Sequence, residues 1–253
     1  MSLTTGRGPL APDPAGHFDR QVPAGAVYVE PWLRRVRALV GGRTAIDSER
    51  VLLVHRPGRP PEYAFPEQDV RGLPMEPEPA AQGYVRVAWD AATAWYEESE
   101  RVYGHPKNPY HRIDCIRARR RLRAEIPPQV LVDTTDVVAV FETSRLPQLY
   151  APRSTVRLEF LVPSPTSSYC PYKGTASYWT AVVDGRLFPD VAWSYDDPHP
   201  ESAPIAGCFA FYADRVSGVQ DVPDWFRPPL VASQDTNHDA NHEANQEVTG
   251  QER

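Results

Sequence analysis

The feature that most constrains the fold of this chain is an internal repeat. Residues Arg35–Arg71 align without a gap on Arg121–Arg157, 86 positions later, and eleven of the 37 aligned positions are identical. The identities include an aspartate and several prolines as well as apolar residues, and matched spacing of this kind is harder to obtain by chance than matched composition. The repeat predicts that the chain contains two related units.

Both copies have the pattern of short strands joined by turns. Each has an arginine-alternating segment, an apolar segment (VLLVHR or VVAVFE) and a proline-bounded segment, which is typical of β-strands. The chain has 28 prolines against 15 glycines, and this balance favours strands with rigid turns over long helices. We therefore predict a mainly β fold built from two small units in tandem.

A second match indicates that the first unit is the shorter one. Gly83–Asp90 resembles Gly207–Asp214, now 124 positions later, so the second unit holds 38 residues that the first lacks. This insert falls at about Ser164–Ala203. The unusual residues of the sequence lie in and around it.

The predicted organisation has five parts. They are a mobile arm (residues 1–25), a shortened first β unit (26–103), a linker (104–119), a complete second β unit (120–230) and a disordered acidic tail (231–253). One helix is expected at the end of the first unit, because Asp90 suits an N-cap and Gly104 a position just past a helix C-terminus. Trp95 would then pack from this helix onto a sheet.

Composition excludes several classes of protein. The formal net charge is −6, whereas a dedicated nucleic-acid binder needs a basic face, so no nucleic acid is expected as a partner. No apolar run is long enough to span a membrane, and the N-terminus has no secretory signal. The three cysteines make no disulfide framework. We expect a cytoplasmic protein with no membrane partner, and the sequence leaves its oligomeric state unknown.

Cofactor and metal motifs are also missing. The sequence has no Walker loop, no GxGxxG, no GxSxG, no HExxH and no paired cysteines with zinc spacing. We therefore predict neither a cofactor nor a metal.

The candidate site lies in the insert, at Cys170-Pro171-Tyr172-Lys173-Gly174. Only two of the 27 basic residues are lysine, so Lys173 is an unusual choice in this chain. Pro171 suits a tight turn that would bring Cys170 and Lys173 to its two ends. A buried lysine can act as a base or as an imine-forming nucleophile, and a nearby lysine activates a thiol.

Aromatic residues surround this turn in the sequence. The predicted pocket walls are Tyr172, Tyr178, Trp179, Trp193 and Tyr195. Either Tyr212 or His111 could supply a proton, and Arg157 could bind a carboxylate or phosphate or lie on the solvent face.

Three functions remain open. The first is a small-molecule enzyme that uses Lys173 and Cys170, with His111 or Tyr212 assisting. The second is a non-catalytic module whose aromatic residues form a cage for a cationic or planar ligand. The third is an interaction protein in which the same aromatic residues are only core.

The pattern CPYKG…YW…AWSY…IAG…AFY, preceded by an arginine strand, resembles the bacterial and fungal domain of unknown function 427 family. The resemblance covers Arg120–Val219 closely and Arg35–Glu98 in reduced form, and it implies a small, mainly β fold with curled, tent-like sheets. The family motif falls on Cys170, Pro171, Tyr172, Lys173, Gly174, Tyr178, Trp179, Trp193, Tyr195, Pro198, Gly207, Phe211 and Tyr212.

The resemblance implies no established reaction. The family is labelled nucleotidyltransferase-like, but this sequence has no glycine-serine turn followed by a DxD pair, so its motifs do not support nucleotidyl transfer. CPYKG is absent from the first unit, which predicts one site per chain, with the first unit as a scaffold or lid.

Overall fold

The computed structural model describes residues 10–12, 25–143 and 145–221. These residues belong to one compact body, Met1–Asp221. The predicted tail lies outside the described residues, and so does the predicted arm except at residues 10–12 and 25.

The described chain consists of short strands connected by turns and 3-10 segments, which confirms the mainly β fold class. The strands of the first half are β1 (Tyr28–Trp32), β2 (Val36–Val40), β3 (Arg43–Ser48), β4 (Val51–His55), β5 (Glu62–Pro66), β6 (Glu76–Pro77), β7 (Tyr84–Arg86), β8 (Ala94–Glu97) and β9 (Glu100–Val102). Those of the second half are β10 (Ile113–Ala118), β11 (Leu122–Ile126), β12 (Gln129–Thr134), β13 (Val137–Glu142), β14 (Gln148–Tyr150), β15 (Leu161–Cys170), β16 (Gly174–Val183), β17 (Arg186–Ser194), β18 (Phe209–Phe211) and β19 (Ser217–Gln220). The 3-10 segments are Glu67–Asp69, Trp89–Ala91, Arg153–Thr155, Leu158–Phe160 and Pro200–Ile205.

The strands form antiparallel sheets of three to five strands. In the first half the orders are β1-β4-β5-β7-β6 and β3-β2-β8-β9. In the second half they are β10-β13-β14, β12-β11-β19 and β15-β16-β17-β18. In each half one core cluster fills the space between sheets, because alternate residues of the strands face inward.

The two halves share their hydrogen bonding at the offset seen in the sequence. Arg35 makes a two-pronged ion pair with Asp47, and Arg121 makes the same pair with Asp133. Both β2 and β11 carry a register irregularity after the third residue of the strand. The matching residue pairs are Trp32↔Val51 with Ala118↔Val137, Ile46↔Val70 with Val132↔Val156, and Phe65↔Val85 with Ala151↔Phe209.

The insert and the linker differ in what they contain. Between β14 and β18 the second half carries the long meander β15-β16-β17, which covers most of the predicted insert Ser164–Ala203. Part of the predicted linker 104–119 is a strand, because β10 pairs along its whole length with β13. The sequence prediction missed β10 because none of its six residues is buried, so that IDCIRA shows no clear alternation of apolar and polar residues.

The helix predicted from Asp90 to Gly104 is wrong. The segment forms the 3-10 turn Trp89–Ala91 and a hairpin of β8 and β9 that turns at Glu98, which has a positive φ of 50°. Pairing of β8 with β2 places Trp95 opposite Ala38, so that Trp95 is buried as expected but from a strand. Sheet pairing here overrides the local helix signals. The described residues include no helix long and apolar enough to cross a bilayer.

Candidate functional site

The predicted turn at Pro171 is confirmed. It joins β15 to β16, and the Lys173 N–H donates to the Cys170 carbonyl at 3.2 Å. Gly174 follows with a φ of +97°, a backbone conformation that residues other than glycine rarely adopt. The turn is fixed from outside by the His199 N–H, which donates to the Lys173 carbonyl at 3.1 Å.

The Lys173 side chain forms a buried ion pair with Glu142, the last residue of β13. Its Nζ donates to Glu142 Oε2, and the two side chains are 12% and 9% exposed. Arg145 approaches the other carboxylate oxygen at 3.1 Å. An amine held in this way is engaged with a carboxylate, whereas an imine-forming lysine must present a free amine.

His111 completes the cluster from the predicted linker. Its Nε2 lies 3.2 Å from Glu142 Oε1, and its side chain has no exposed surface. The Tyr172 ring covers it, with ring centroids 4.0 Å apart. The side chain of His111 is therefore enclosed by its neighbours.

The charges of this cluster keep Glu142 ionised. Burial opposes its ionisation, but the hydrogen bond from His111 and the charges of Lys173 and Arg145 outweigh burial and lower the pKa of Glu142 to about 2. Burial raises the pKa of Tyr172 to about 12, so this phenol stays protonated at neutral pH. The cluster thus holds one fixed negative charge among cationic groups.

Four predicted residues lie together in a separate core cluster of the second half, with Tyr150 at its centre. Tyr178, Trp193, Tyr195 and Tyr212 belong to this cluster. Trp193 donates its indole N–H to the Tyr150 hydroxyl at 3.0 Å and packs against Tyr212 at 4.4 Å between ring centroids. Burial raises the pKa of Tyr195, and the neighbouring Tyr150 and Cys170 raise it further. These rings pack on one another, and the Lys173 amine contacts Glu142 instead of them.

Two predicted wall residues lie away from the turn. Trp179 faces the other side of β16, where its ring packs on Phe209 at 5.1 Å. Arg157 pairs with Glu159 at 3.0 Å and is half-exposed. The structure therefore divides the predicted site into the Lys173 cluster, the Tyr150 cluster and these two isolated residues.

A cleft opens beside the Lys173 cluster, between the linker and both halves. Its volume is about 430 Å³, and its lining residues are Trp32, Arg34, Lys107, Asn108, Pro109, His111, Arg112, Ile113, Tyr172 and Glu201. Asn108 is 3% exposed, and its backbone N–H donates to the Tyr172 hydroxyl at 2.8 Å. Its side-chain Nδ2 has no hydrogen-bond partner within the part of the chain that the structure describes.

The described residues contain no group of three or more His, Cys, Asp or Glu side chains placed to hold a metal ion. Cys115, Cys170 and Cys208 are all free thiols. Burial raises the pKa of Cys115 and of Cys208, which makes both thiols poor nucleophiles at neutral pH.

Comparison with known proteins gives a family. Residues 114–222 match the family model described as Domain of unknown function (DUF427). The matched segment begins in β10 and ends just after β19. Most of the second half is therefore similar to the DUF427 family. No curated protein matches the chain.

Two residues of the candidate site, Glu142 and Asn108, were missed from sequence. Glu142 ends the apolar strand VVAVFE, where its counterpart in the first half is Arg56. This change from a base to an acid at matched positions was the available signal. Asn108 gave none, because an asparagine between two prolines is typical of an exposed turn.

The two lysines of the chain provide a direct check on the candidate site. Lys107 is half-buried at the cleft and has no ion pair among the described residues, whereas Lys173 is paired with Glu142. Because the Lys173 side chain is 12% exposed and its amine is bound to Glu142, we expect Lys107 to react with an amine reagent at pH 8 faster than Lys173. Peptide mass spectrometry of the labelled protein measures both rates.

Glu142→Gln supplies the control for this labelling. The variant removes the partner charge and is expected to speed modification of Lys173 while leaving Lys107 unchanged. Equal rates for the two lysines in the unmodified protein would contradict the buried ion pair.

Proposed function

We propose that this protein binds a small anionic molecule in the cleft beside Tyr172. The observation that carries the proposal is the Asn108 side chain, a buried amide that lines the cleft and whose Nδ2 has no acceptor among the described residues. A buried donor without a partner costs about 1–3 kcal/mol. An oxygen of a bound carboxylate or phosphate would supply the missing acceptor.

The charges around the cleft support an anion. Arg34, Lys107 and Arg112 line it against a single acid, Glu201. Arg34 already pairs with Glu97, and Arg112 with Asp114. The charge of Lys107 therefore remains to be matched by a ligand.

The size of the cleft and the rigidity of its wall support a small organic molecule. About 430 Å³ falls within the range of roughly 300–1,000 Å³ usual for ligand pockets. The Lys173–Glu142–His111 cluster lies behind Tyr172 and holds its ring, and Tyr172 in turn holds Asn108. In this proposal Lys173 and Glu142 are positioning residues, and such support keeps a binding site preorganised.

Catalysis is the second candidate, favoured by the contact between a buried histidine and an ionised carboxylate directly behind the cleft wall. If Tyr172 swings away on binding, His111 becomes a general base oriented by Glu142. This candidate requires turnover that is lost in His111→Gln, whereas the binding proposal requires only affinity.

The wider setting is also proposed. We infer that residues 26–103 are a shortened copy of the same fold, because the paired arginine strands, the bridges and the Arg–Asp ion pair recur at a constant offset. The free thiols of all three cysteines support a reducing, cytoplasmic location.

Calorimetric titration of the protein with benzoate and with phenyl phosphate tests the proposed binding of an anion. We expect saturable binding of at least one of these anions and no binding of the cation benzamidine. Lys107→Met and Asn108→Ala should each weaken binding by about tenfold, which corresponds to about 1.4 kcal/mol.

The matched control is Arg186→Met, which removes an exposed cation from the first position of β17. It should leave the affinity unchanged. Anion binding that survives Lys107→Met without loss, or that falls equally in Arg186→Met, would show that the cleft is not the site.

A further inference from the structure

We propose that the first half of the chain carries a second ligand site, an aromatic cavity that takes a flat, uncharged aromatic group. The cavity has a volume of about 240 Å³. Its lining residues are Arg59, Pro60, Pro61, Glu62, Tyr63, Val87, Ala88, Trp89, Trp95, Gly104, His105 and Pro106. It shares no lining residue with the cleft beside Tyr172.

Three rings form one continuous wall of this cavity. Trp89 and Trp95 stack with centroids 5.0 Å apart and planes 15° apart, and Tyr63 lies 6.0 Å from Trp95. Aromatic rings pack on one another in such offset arrangements with a gain beyond that of area alone. A flat aromatic ligand would extend this wall by one more ring.

The polar atoms of two wall rings, Trp95 and Tyr63, are already used inside the protein. The Trp95 indole N–H donates to the Trp89 carbonyl at 2.8 Å, and the Tyr63 hydroxyl donates to Glu97 Oε1. Because these groups are satisfied by the protein, the Trp95 and Tyr63 rings have no free donor to offer a ligand. A ligand whose polar groups face these two rings would find no hydrogen-bond donor there, and those groups would stay unpaired.

The acidic groups near the cavity are also matched by donors. Glu97 is 7% exposed and accepts from Tyr63, from the Trp32 indole at 3.1 Å and from Arg34 at 2.5 Å. At the rim, Glu62 pairs with Arg56. Burial lowers the pKa of His105, so this ring is neutral at pH 7. No uncompensated carboxylate is therefore present at the cavity, within the described residues, to select a cation.

The volume sets the size of the ligand. An apolar cavity of about 150 Å³ accommodates a single benzene ring, so about 240 Å³ has room for two fused rings. Three prolines line the remaining side, and such rigid walls lose little entropy on binding.

The test uses 5-fluoroindole as the probe and ¹⁹F NMR of the full chain as the readout. We expect saturable binding with a dissociation constant below about 1 mM, as for a ligand of this size. Trp89→Leu should weaken it by at least about tenfold, since it removes a stacking ring, while the carbonyl that accepts from Trp95 remains. Trp89→Phe, which keeps a ring, should weaken it less.

Two controls decide whether the cavity is the site and whether it prefers a neutral ligand. Tyr103→Leu removes an exposed ring outside the cavity and should leave the affinity unchanged. 5-Fluorotryptamine adds an ammonium group to the same ring system and should bind at least about tenfold more weakly, because it must give up hydration of its charge.

The proposal is overturned if 5-fluoroindole does not bind, if its affinity is the same in Trp89→Leu and Trp89→Phe as in the unmodified chain, or if the tryptamine binds more tightly. Lys107→Met leaves this cavity intact, so the experiment is independent of the anion cleft. Failure at one site does not bear on the other.

Discussion

Replacing Glu142 by glutamine is expected to lower the free energy of unfolding by about 3–5 kcal/mol at pH 7. The substitution leaves Lys173, which is 12% exposed, without its counter-charge. Removing one partner of a buried pair costs far more than the pair itself contributes, because the remaining charge stays buried and unmatched. Urea unfolding followed by tryptophan fluorescence measures the difference.

The pH dependence of the free energy of unfolding identifies the Glu142 carboxylate as the source of this stabilisation. The folded protein lowers the pKa of Glu142 from 4.5 to about 2, so its ionised form stabilises the fold fully above pH 4.5. This contribution, on the order of 3 kcal/mol, is lost as the pH falls from 4.5 towards 2. Glu142→Gln has no such group, so the two free energies of unfolding should converge over that interval.

Glu159→Gln is the matched control, because it makes the same change in a solvent-exposed ion pair with Arg157. It should cost less than about 1 kcal/mol. A difference between the unmodified chain and Glu142→Gln that stays constant from pH 7 to pH 3 would contradict an ionised Glu142 in the fold.

The second large effect is expected at Gly218, in the strand that closes the second half. Its φ is +148°, and a Cβ added there would lie 2.0 Å from the Arg123 carbonyl oxygen. Gly218 pairs with Ala124 in the centre of the β11–β19 ladder. The added Cβ would therefore clash with the backbone of the neighbouring strand. We expect Gly218→Ala to lower the free energy of unfolding by about 3 kcal/mol or more, within the range of strained and overpacked sites.

Ser217→Ala provides the comparison, because it changes the preceding, exposed residue of the same strand. Its effect should stay within about 0.5 kcal/mol, as for other surface positions. If Gly218→Ala were as mild as Ser217→Ala, the pairing of β19 with β11 at this register would be wrong.

The strands could be predicted because they leave a repeated signal. Asp47 and Asp133 recur at the same spacing from an arginine, and the structure shows why: both hold that arginine in an ion pair across adjacent strands. Such a pair constrains residue type at two fixed positions. This constraint is what made the alignment visible despite few identities.

The hairpin of β8 and β9 could not be predicted in the same way. Asp90 and Gly104 are good helix-capping residues, but the segment between them is decided by β2, a strand more than fifty residues earlier. Extending the repeat would have corrected the error, since β8 pairs with β2 as β19 pairs with β11. That correspondence is hidden because Trp95 and Gly218, which occupy equivalent positions, are so different.

The site was predicted in part. The rarity of lysine drew attention to Lys173, and the turn geometry followed from Pro171 and Gly174. Sequence proximity did not point to its partner, because Glu142 is 31 residues away and the turn meets β13 only in the folded chain. The wall residues Trp193 and Tyr195 were grouped with Lys173 by sequence proximity, whereas in the structure they belong to the Tyr150 cluster and the Lys173 amine pairs with Glu142.

The way each half closes its sheet bears on the order of folding during synthesis. In the first half β8 returns to β2 after about 55 residues (Leu39 to Ala94), whereas in the second half β19 returns to β11 after about 92 (Glu125 to Ser217), because the β15-β16-β17 meander intervenes. Pairings that span more chain form later. A nascent chain can complete the sheets of its first half before β19 has been synthesised. Until Ser217–Gln220 is made, β11 in the second half has an unpaired edge at which other chains can pair.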